Sequence, residues 1–309
     1  MKKTSLKMVY LDPDTLLELE NGIKDFLTKQ AKQLPFPKII HQVWHSPEER
    51  EGKTDKVPIP NKWTEGPEAI KKLHPDWLHV LWRVDISDKF VQKYEPKFYK
   101  TYKNYPYFIQ RCDAVRYCFL KHFGGLYLDL DWVPLENIDK HIDTDSPLYF
   151  VPSSNTSGCY TNAIIASKPG LSFWDDVLVA CTKDSGWYNV TQILEVMYTT
   201  GPKMLTEQIN NYNGGFCTLP TIKFNPVSYD DIINGQTTKE GAICRSLKGA
   251  SWHTWDTAVL SLAYDYKWYV VTFIVLMVLI SIVWVGYYYR IGRLKSLEVN
   301  PFADLEYIS

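Results

Sequence analysis

Two carboxylates, Asp129 and Asp131, stand two residues apart at the end of an apolar run, FGGLYLDLDWVPL. Residues at i and i+2 of a strand face the same side, so an extended segment here would turn both carboxylates one way. Converging carboxylate oxygens suit a hard divalent cation, Mg2+ or Mn2+, bound through one or two carboxylates plus the phosphates of a substrate. Such an ion stabilises the charge that develops on a departing diphosphate. Upstream, Asp113 and Arg116 lie three apart in a segment of helical pattern. They share a face, where they offer an acceptor and a forked donor to sugar hydroxyls. A solvated ion pair on a helix surface would show the same spacing. Gly124-Gly125 precedes the carboxylates and would let backbone approach a ligand closely. His41 and His45 are four apart, which clusters metal ligands on a helix, but their segment reads as a strand and no metal is expected there.

The elements that must position these residues follow from hydrophobic period and turn chemistry. Asp12-Pro13 reads as the N-cap and first residue of a helix with Leu16, Leu19, Ile23, Phe26 and Leu27 at helical spacing, ended by Pro35 and Pro37. Residues 38–45 suit a first buried strand, 46–61 a loop, 66–73 a helix and 77–84 a second strand. A helical pattern covers 107–123 and stops at Gly124-Gly125, after which 126–130 reads as a third strand running into the carboxylates. Strands follow at 148–151, 163–166 and 218–224, with helices at 171–182 and 202–210 and a helical stretch over 255–266. Alternating helix and strand predicts an α/β domain with a mostly parallel sheet covered on both faces, and ligands just beyond the carboxyl ends of its strands. The expected division is an N-terminal helical segment to residue 36, an α/β domain over 37–266, a transmembrane helix over 267–290 and a short polar tail over 291–309.

The chain has 309 residues and a net charge of -1 from 34 basic and 35 acidic residues, so no basic excess points to nucleic acid. Hydrophobic and charged fractions of 45% and 22% are those of a globular protein and exclude a disordered class. Six cysteines form no C-x-x-C pair and read as buried thiols. From Trp268 to Tyr289 no residue is charged. At ~1.5 Å per residue such a helix spans about 33 Å, enough for a bilayer core of about 30 Å. Trp268 and Tyr269 at one end and Trp284, Tyr287, Tyr288 and Tyr289 at the other match interfacial aromatic belts. The N-terminus MKKTSLKMVYLDPD lacks the apolar core of a signal peptide. Orientation is open: Arg290, Arg293 and Lys295 favour a cytoplasmic tail, whereas the lack of a signal favours a tail anchor with a cytosolic domain. The sequons Asn155-Thr156-Ser157 and Asn189-Val190-Thr191 do not decide it.

KIIHQVW, then HPDWLHVLWRVD, then RCDAVRYCFLKHFGGLYLDLD resemble, in that order, the DXD-containing sugar transferases of glycosyltransferase family 32. Its members include fungal initiating α-1,6-mannosyltransferases and the catalytic subunit of mannosyl-inositolphosphorylceramide synthase. The resemblance runs over about residues 37–256. It implies a GT-A type, Rossmann-like nucleotide-sugar-binding domain, a divalent metal and retention at the anomeric carbon. Carried over by position, Asp129 and Asp131 would be the metal and diphosphate carboxylates, Asp131 the direct ligand. Asp113 and Arg116 would contact the donor sugar, and Trp44, at the end of the Ile40–Trp44 strand, would stack on the base. Asn162, in TNAIIASKPG, would face donor or acceptor, and Thr200-Gly201-Pro202 matches a structural helix start. SWHTWD would close over the diphosphate, with His253 on metal or phosphate and Trp255 donating its indole N–H. Trp132 also stands where a ring could stack on base or sugar. The implied donor is GDP-mannose, with UDP-hexoses behind it. The implied acceptor is a lipid or glycan, the partner a membrane regulatory subunit, and the location an endomembrane of Golgi or ER type. Golgi members carry an N-terminal anchor. A C-terminal span occurs in lipid-modifying relatives, which favours a membrane lipid.

Two other readings compete. Asp129-Leu130-Asp131-Trp132-Val133 also fits the first motif of a haloacid dehalogenase-like phosphatase, with Asp129 as nucleophile and Asp175-Asp176 or Asp230-Asp231 as the later acidic pair. A membrane adaptor that keeps the fold without activity is the other, and the intact set of Asp113, Arg116, Asp129 and Asp131 speaks against it.

Overall fold

The computed structural model describes residues 9–30, 34–50, 52, 56–142, 145–183, 186, 191–247 and 267–298. The chain divides into a unit over residues 1–252 and a second over 253–309.

The first unit opens with a strand, β1 (Val9–Leu11), and a helix, α1 (Leu16–Lys29). The Thr15 side chain accepts from the Glu18 N–H and so caps α1, which starts three residues later than Asp12-Pro13 predicts. Asp12 is instead committed to Arg83, 2.8 Å away. Strand β2 (Ile39–Val43) is followed by a short helix, α2 (Pro47–Arg50), inside the segment expected to be loop. Helix α3 (Glu65–Leu73), strand β3 (Leu78–Trp82) and helices α4 (Val84–Tyr94) and α5 (Pro96–Lys103) come next. Pro96 starts α5 where its missing N–H costs nothing. Helix α6 (Phe108–Phe123) is buried from Gln110 to Leu120 and forms the middle of the helical layer.

Gly124 and Gly125 end α6 and start β4 (Gly125–Leu128) with φ of 62° and 96°. A Cβ on Gly125 would lie 2.5 Å from the Ile39 carbonyl, and one on Gly124 2.7 Å from the Ser167 carbonyl. These glycines therefore serve the close packing of strands and not the approach of a ligand. Further elements are β5 (Trp132–Pro134), β6 (Leu148–Pro152), β7 (Tyr160–Ser167), α7 (Phe173–Ala180), α8 (Gln192–Thr199), α9 (Pro202–Asn211), β8 (Cys217–Thr218) and β9 (Cys244–Ser246), with short helices at Thr221–Phe224 and Tyr229–Ile233. The strand expected over 218–224 is only the two residues of β8, because Pro220 ends it and Thr221–Phe224 is helical.

Seven strands form one sheet in the order β1-β3-β2-β4-β7-β6-β8. β1, β3, β2 and β4 are parallel, β7 runs antiparallel between β4 and β6, and β8 is parallel to β6. The sheet is thus mixed and mostly parallel, as the alternation predicts. Its two faces bury separate cores. Ile39, Leu78, Val80 and Trp82 pack with α1, α4, α6 and α7, while Ile40, Leu126 and Leu128 pack with Phe36, Trp77 and Tyr149. β5 and β9 form a separate antiparallel pair directly after the Asp129–Asp131 segment.

In the second unit, Lys267–Glu298 is one helix, and Val271–Ile291 within it has a mean hydropathy of 2.3 with none of its apolar window buried. Twenty-one residues at ~1.5 Å each make about 32 Å, the length and apolarity needed to cross a bilayer.

Gly125→Ala is expected to destabilise the protein by more than about 2 kcal/mol, from left-handed backbone strain plus the clash with Ile39. Gly158→Ala also places a side chain at positive φ, 72°, but meets nothing within 4 Å. It should cost only about 1 kcal/mol. Thermal unfolding of the two variants side by side checks the difference.

Candidate active site

The two carboxylates do not continue a strand. β4 ends at Leu128, and the chain turns: the Asp129 N–H donates to the Ala163 carbonyl at 2.9 Å, and the Trp132 N–H to the Asp129 carbonyl at 3.0 Å. Neighbours clamp this turn on several sides. The Leu247 N–H donates to the Asp131 carbonyl at 2.6 Å, directly after β9. Gly66, in the first turn of α3, packs so closely that a Cβ would lie 2.9 Å from the Trp132 carbonyl and 3.0 Å from that of Leu130. The turn lies beyond the carboxyl end of β4, in the parallel half of the sheet, where α/β folds place ligands.

Helix α6 runs back toward the start of β4, so its early residues come to this same edge. Arg116 is buried and binds everything around it. It pairs with Asp113 at 2.7 Å and Asp129 at 3.3 Å, and donates to the carbonyls of Asn162 at 2.7 Å and Cys112 at 3.3 Å. Its guanidinium lies 4.4 Å from the centre of the Tyr127 ring, and the Tyr127 hydroxyl donates to Asp129 Oδ1. Asp113 also accepts from the Asn162 amide at 3.0 Å and the Thr200 hydroxyl at 3.4 Å. The Asp113–Arg116 spacing is therefore a buried network and not a solvated surface pair.

Burial raises Asp113 to about 7 although Arg116 pulls the other way. Burial also raises Asp129, against Arg116 and Tyr127. Asp131 rises to about 7, first through burial and then through repulsion from Asp129. The two members of the pair differ in a way that matters. Asp129 is engaged by an arginine and a tyrosine, whereas Asp131 has no ion-pair partner among the described residues. A carboxylate held half-buried next to another, with no cation of its own, fits a divalent ion that would supply the missing charge. No cluster of three or more His, Cys, Asp or Glu occurs among the described residues. The donor set visible here is thus two carboxylates, which is what Mg2+ or Mn2+ needs when substrate phosphates complete the shell.

Asp113, Arg116, Asn162, Asp129 and Asp131 are therefore brought together. Trp44 lies past the end of β2, where its indole N–H donates to the Val57 carbonyl at 3.0 Å and its ring meets Trp63 edge to face at 5.4 Å. Neither of these contacts reaches the carboxylates. Trp132 is a core residue of β5, not a free stacking surface. His41 is buried with both ring nitrogens in use: it accepts from the Trp82 indole at 3.0 Å and donates to the Gly124 carbonyl at 2.8 Å. His45 is buried between Ser87 and Cys112. His253 and Trp255 lie outside the described residues, as does the helical stretch expected over 255–266. Tyr127 was not apparent as a site residue, although its place two before Asp129 on a strand carried the signal. Thr200 does more than start a helix, since it reaches Asp113 across the fold. The acidic pairs that a phosphatase would use are tied elsewhere: Asp175 pairs with Lys121 and Asp231 with Lys239.

A half-buried carboxylate turn at a strand end, backed by an arginine network, is an arrangement able to hold a divalent ion. Residues 60–147, which hold most of it, match the family described as glycosyltransferase sugar-binding region containing DXD motif. The chain is similar to mannosyl phosphorylinositol ceramide synthase CSH1 of Saccharomyces cerevisiae, 29% identical over 256 residues, 79% of this chain and 59% of that protein. It is 28% identical over 274 residues to the SUR1 synthase of the same yeast, 82% of this chain and 64% of that one. To the initiation-specific alpha-1,6-mannosyltransferase of Candida albicans it is 27% identical over 145 residues, 46% of this chain and 35% of that one. The kinship with DXD sugar transferases seen in the motif order is thereby borne out. The chain spans about three-fifths of the length of the first two relatives.

The raised Asp131 carboxyl sets a stability test. The folded group holds its proton up to about pH 7, while an unfolded one loses it near 3.8. Folded protein thus binds more protons between these values, so stability falls as pH rises from about 4 to about 7, and the deficit is complete above 7. Asp131→Asn removes it. Without added metal, the variant should melt higher than the parent at pH 8, on the order of 2–4 °C per kcal/mol recovered. At pH 4 the two should coincide. An equal or lower melting point at pH 8 would show that the carboxylate is not strained by burial.

Proposed function

We infer that this chain is a membrane-anchored GT-A type glycosyltransferase that moves a hexose, mannose first, from a nucleotide sugar to an inositol-phosphate sphingolipid, with retention. The single observation that carries this is the Asp131 carboxylate, held without a cation beside the Asp113–Arg116–Asp129 network inside a DXD sugar-binding segment. That the similar yeast proteins are mannosyl phosphorylinositol ceramide synthases supports the choice of sugar and acceptor.

Asp131, with Asp129, would hold Mn2+ or Mg2+, which supplies positive charge to the leaving diphosphate. The rest is done by the chain. Asp113 and Asn162, locked to each other at 3.0 Å, present fixed acceptors and donors to sugar hydroxyls. Arg116 has its donors directed at protein groups, so its part is to hold both carboxylates in place and not to grip the sugar directly. Such preorganised charge acts without reorganisation at the moment of transfer. Arg116, Asn162 and Thr200 already engage Asp113, which spends much of its charge and leaves it acceptor capacity for a hydroxyl but poorly placed to act as a covalent nucleophile. Retention then proceeds by front-face attack of the acceptor hydroxyl. His253 and Trp255 keep the part in diphosphate binding that the motif resemblance implies for them. The apolar helix would anchor the enzyme in a Golgi or ER type membrane beside its lipid acceptor, with a membrane regulatory subunit as partner.

A panel of nucleotide sugars with Mn2+ tests the reading: GDP-mannose should be hydrolysed fastest, and Asp131→Ala should slow that hydrolysis at least about a hundredfold. Near-native hydrolysis in Asp131→Ala would remove the metal-site assignment. NMR of the glycolipid product should show the donor's anomeric configuration, and inversion would refute front-face attack.

A further inference from the structure

Five arginines lie in the described part of the first unit, and four of them are neutralised. Arg83 pairs with Asp12 and Glu49, Arg111 with Asp88, Arg116 with Asp113 and Asp129, and Arg245 with Glu65. Arg50 has no carboxylate partner among the described residues and is exposed at the end of α2. It is nonetheless held. Its Nε donates to the His45 carbonyl at 3.2 Å, and its guanidinium lies 4.3 Å from the centre of the Phe108 ring. Arg111 approaches the same ring at 4.6 Å. With Nε and the plane fixed, both terminal nitrogens of Arg50 remain open among the described residues. That is the edge with which arginine takes two oxygens of one phosphate.

The position is adjacent to the carboxylate site. Phe108 is the first residue of α6, and Asp113 follows five residues later, a rise of about 7.5 Å. His45, whose carbonyl holds Arg50, contacts the Cys112 thiol through Nδ1 at 3.3 Å, and Cys112 is the neighbour of Asp113 in the chain. Glu49, the described acid beside Arg50 in the chain, is already used by Arg83 at 2.9 Å. Among the described residues, a held guanidinium with no carboxylate partner therefore stands two contacts from Asp113's neighbour Cys112, by way of His45.

We propose that Arg50, stacked on Phe108 and held by the His45 carbonyl, is a phosphate-binding corner that grips a phosphate ester brought to the start of α6. This rests on the glycosyl-transfer reading for its biological use but not for its measurement. Two sources share the chemistry: the phosphodiester of an inositol-phosphate lipid acceptor and the diphosphate of the donor. A corner that grips the acceptor would select phosphate-bearing inositol over neutral inositol.

Calorimetric titration of the full chain in detergent with myo-inositol 1-phosphate, with myo-inositol, and with nucleoside diphosphate plus Mn2+ separates the cases. The parent should bind the phosphate ester at least about tenfold more tightly than inositol, as a charge-assisted bidentate contact gives. Arg50→Met should abolish that preference, and Arg50→Lys, which keeps the charge and loses the fork, should retain part of it. If Arg50→Met weakens nucleoside diphosphate binding and leaves the inositol ester unchanged, the corner holds the donor's phosphate. If it changes neither by more than about twofold while its melting point matches the parent, the corner does not exist. A parent that shows the preference yet hydrolyses no nucleotide sugar would remove the transferase reading and keep the corner.

Discussion

The buried guanidinium of Arg116 is the interaction on which the rest of the site depends. An arginine withdrawn from water is tolerated only when its charge and donors are met, and an uncompensated one is strongly destabilising. Here the compensation comes from three separate parts of the fold: Asp113 on its own helix, Asp129 past the end of β4 and the Asn162 carbonyl on β7. One residue thus fixes the helix, the carboxylate turn and the antiparallel strand relative to each other. The aromatic face of Tyr127 completes the enclosure. Burial of this kind costs stability compared with an apolar core, and it makes sense where the geometry itself is the product.

The carboxylate turn shows the complementary condition. Its backbone is clamped by α3 at Gly66, by β7 at Ala163 and by the return of the chain at Leu247. One of its acids is engaged through Oδ1 by Arg116 and Tyr127, and the other has no ion-pair partner among the described residues. A rigid turn that holds an unbalanced carboxylate stores unfavourable electrostatics, and a divalent cation would relieve them. Stability and binding are therefore set against each other at Asp131, as is common where charge is tuned for chemistry.

How far the sequence made this legible can be judged residue by residue. Asp113, Arg116, Asp129 and Asp131 were legible because each sits in a short run with its own period, and the motif order was specific enough to reveal the kinship. Trp132 was misleading: the same flat ring serves stacking or a core, and only packing decides. Gly124-Gly125 suggested ligand approach for a similar reason, since a glycine reports that space is short and not what fills it. Tyr127 escaped notice, and Thr200 read only as part of a helix start, because neither belongs to a charged pair, although both touch the acids that do.

The sequence by itself determined the elements and the apolar helix, because hydrophobic period, glycine and proline act over a few residues. It also determined the two carboxylates and the helical ion pair, which are local spacings. Only the tertiary structure decided that the strand stops at Leu128 and the acids lie in a turn, that Arg116 is consumed by protein groups, and that Arg50 has no carboxylate partner among the described residues. Those outcomes rest on partners far apart in the chain, such as Thr200 with Asp113 or Asn162 with Arg116. They become neighbours only when the strand order β2-β4-β7 is in place. A charge in a sequence has no partner until that order assigns one, and whether it is neutralised or free is what separates a structural arginine from a binding one.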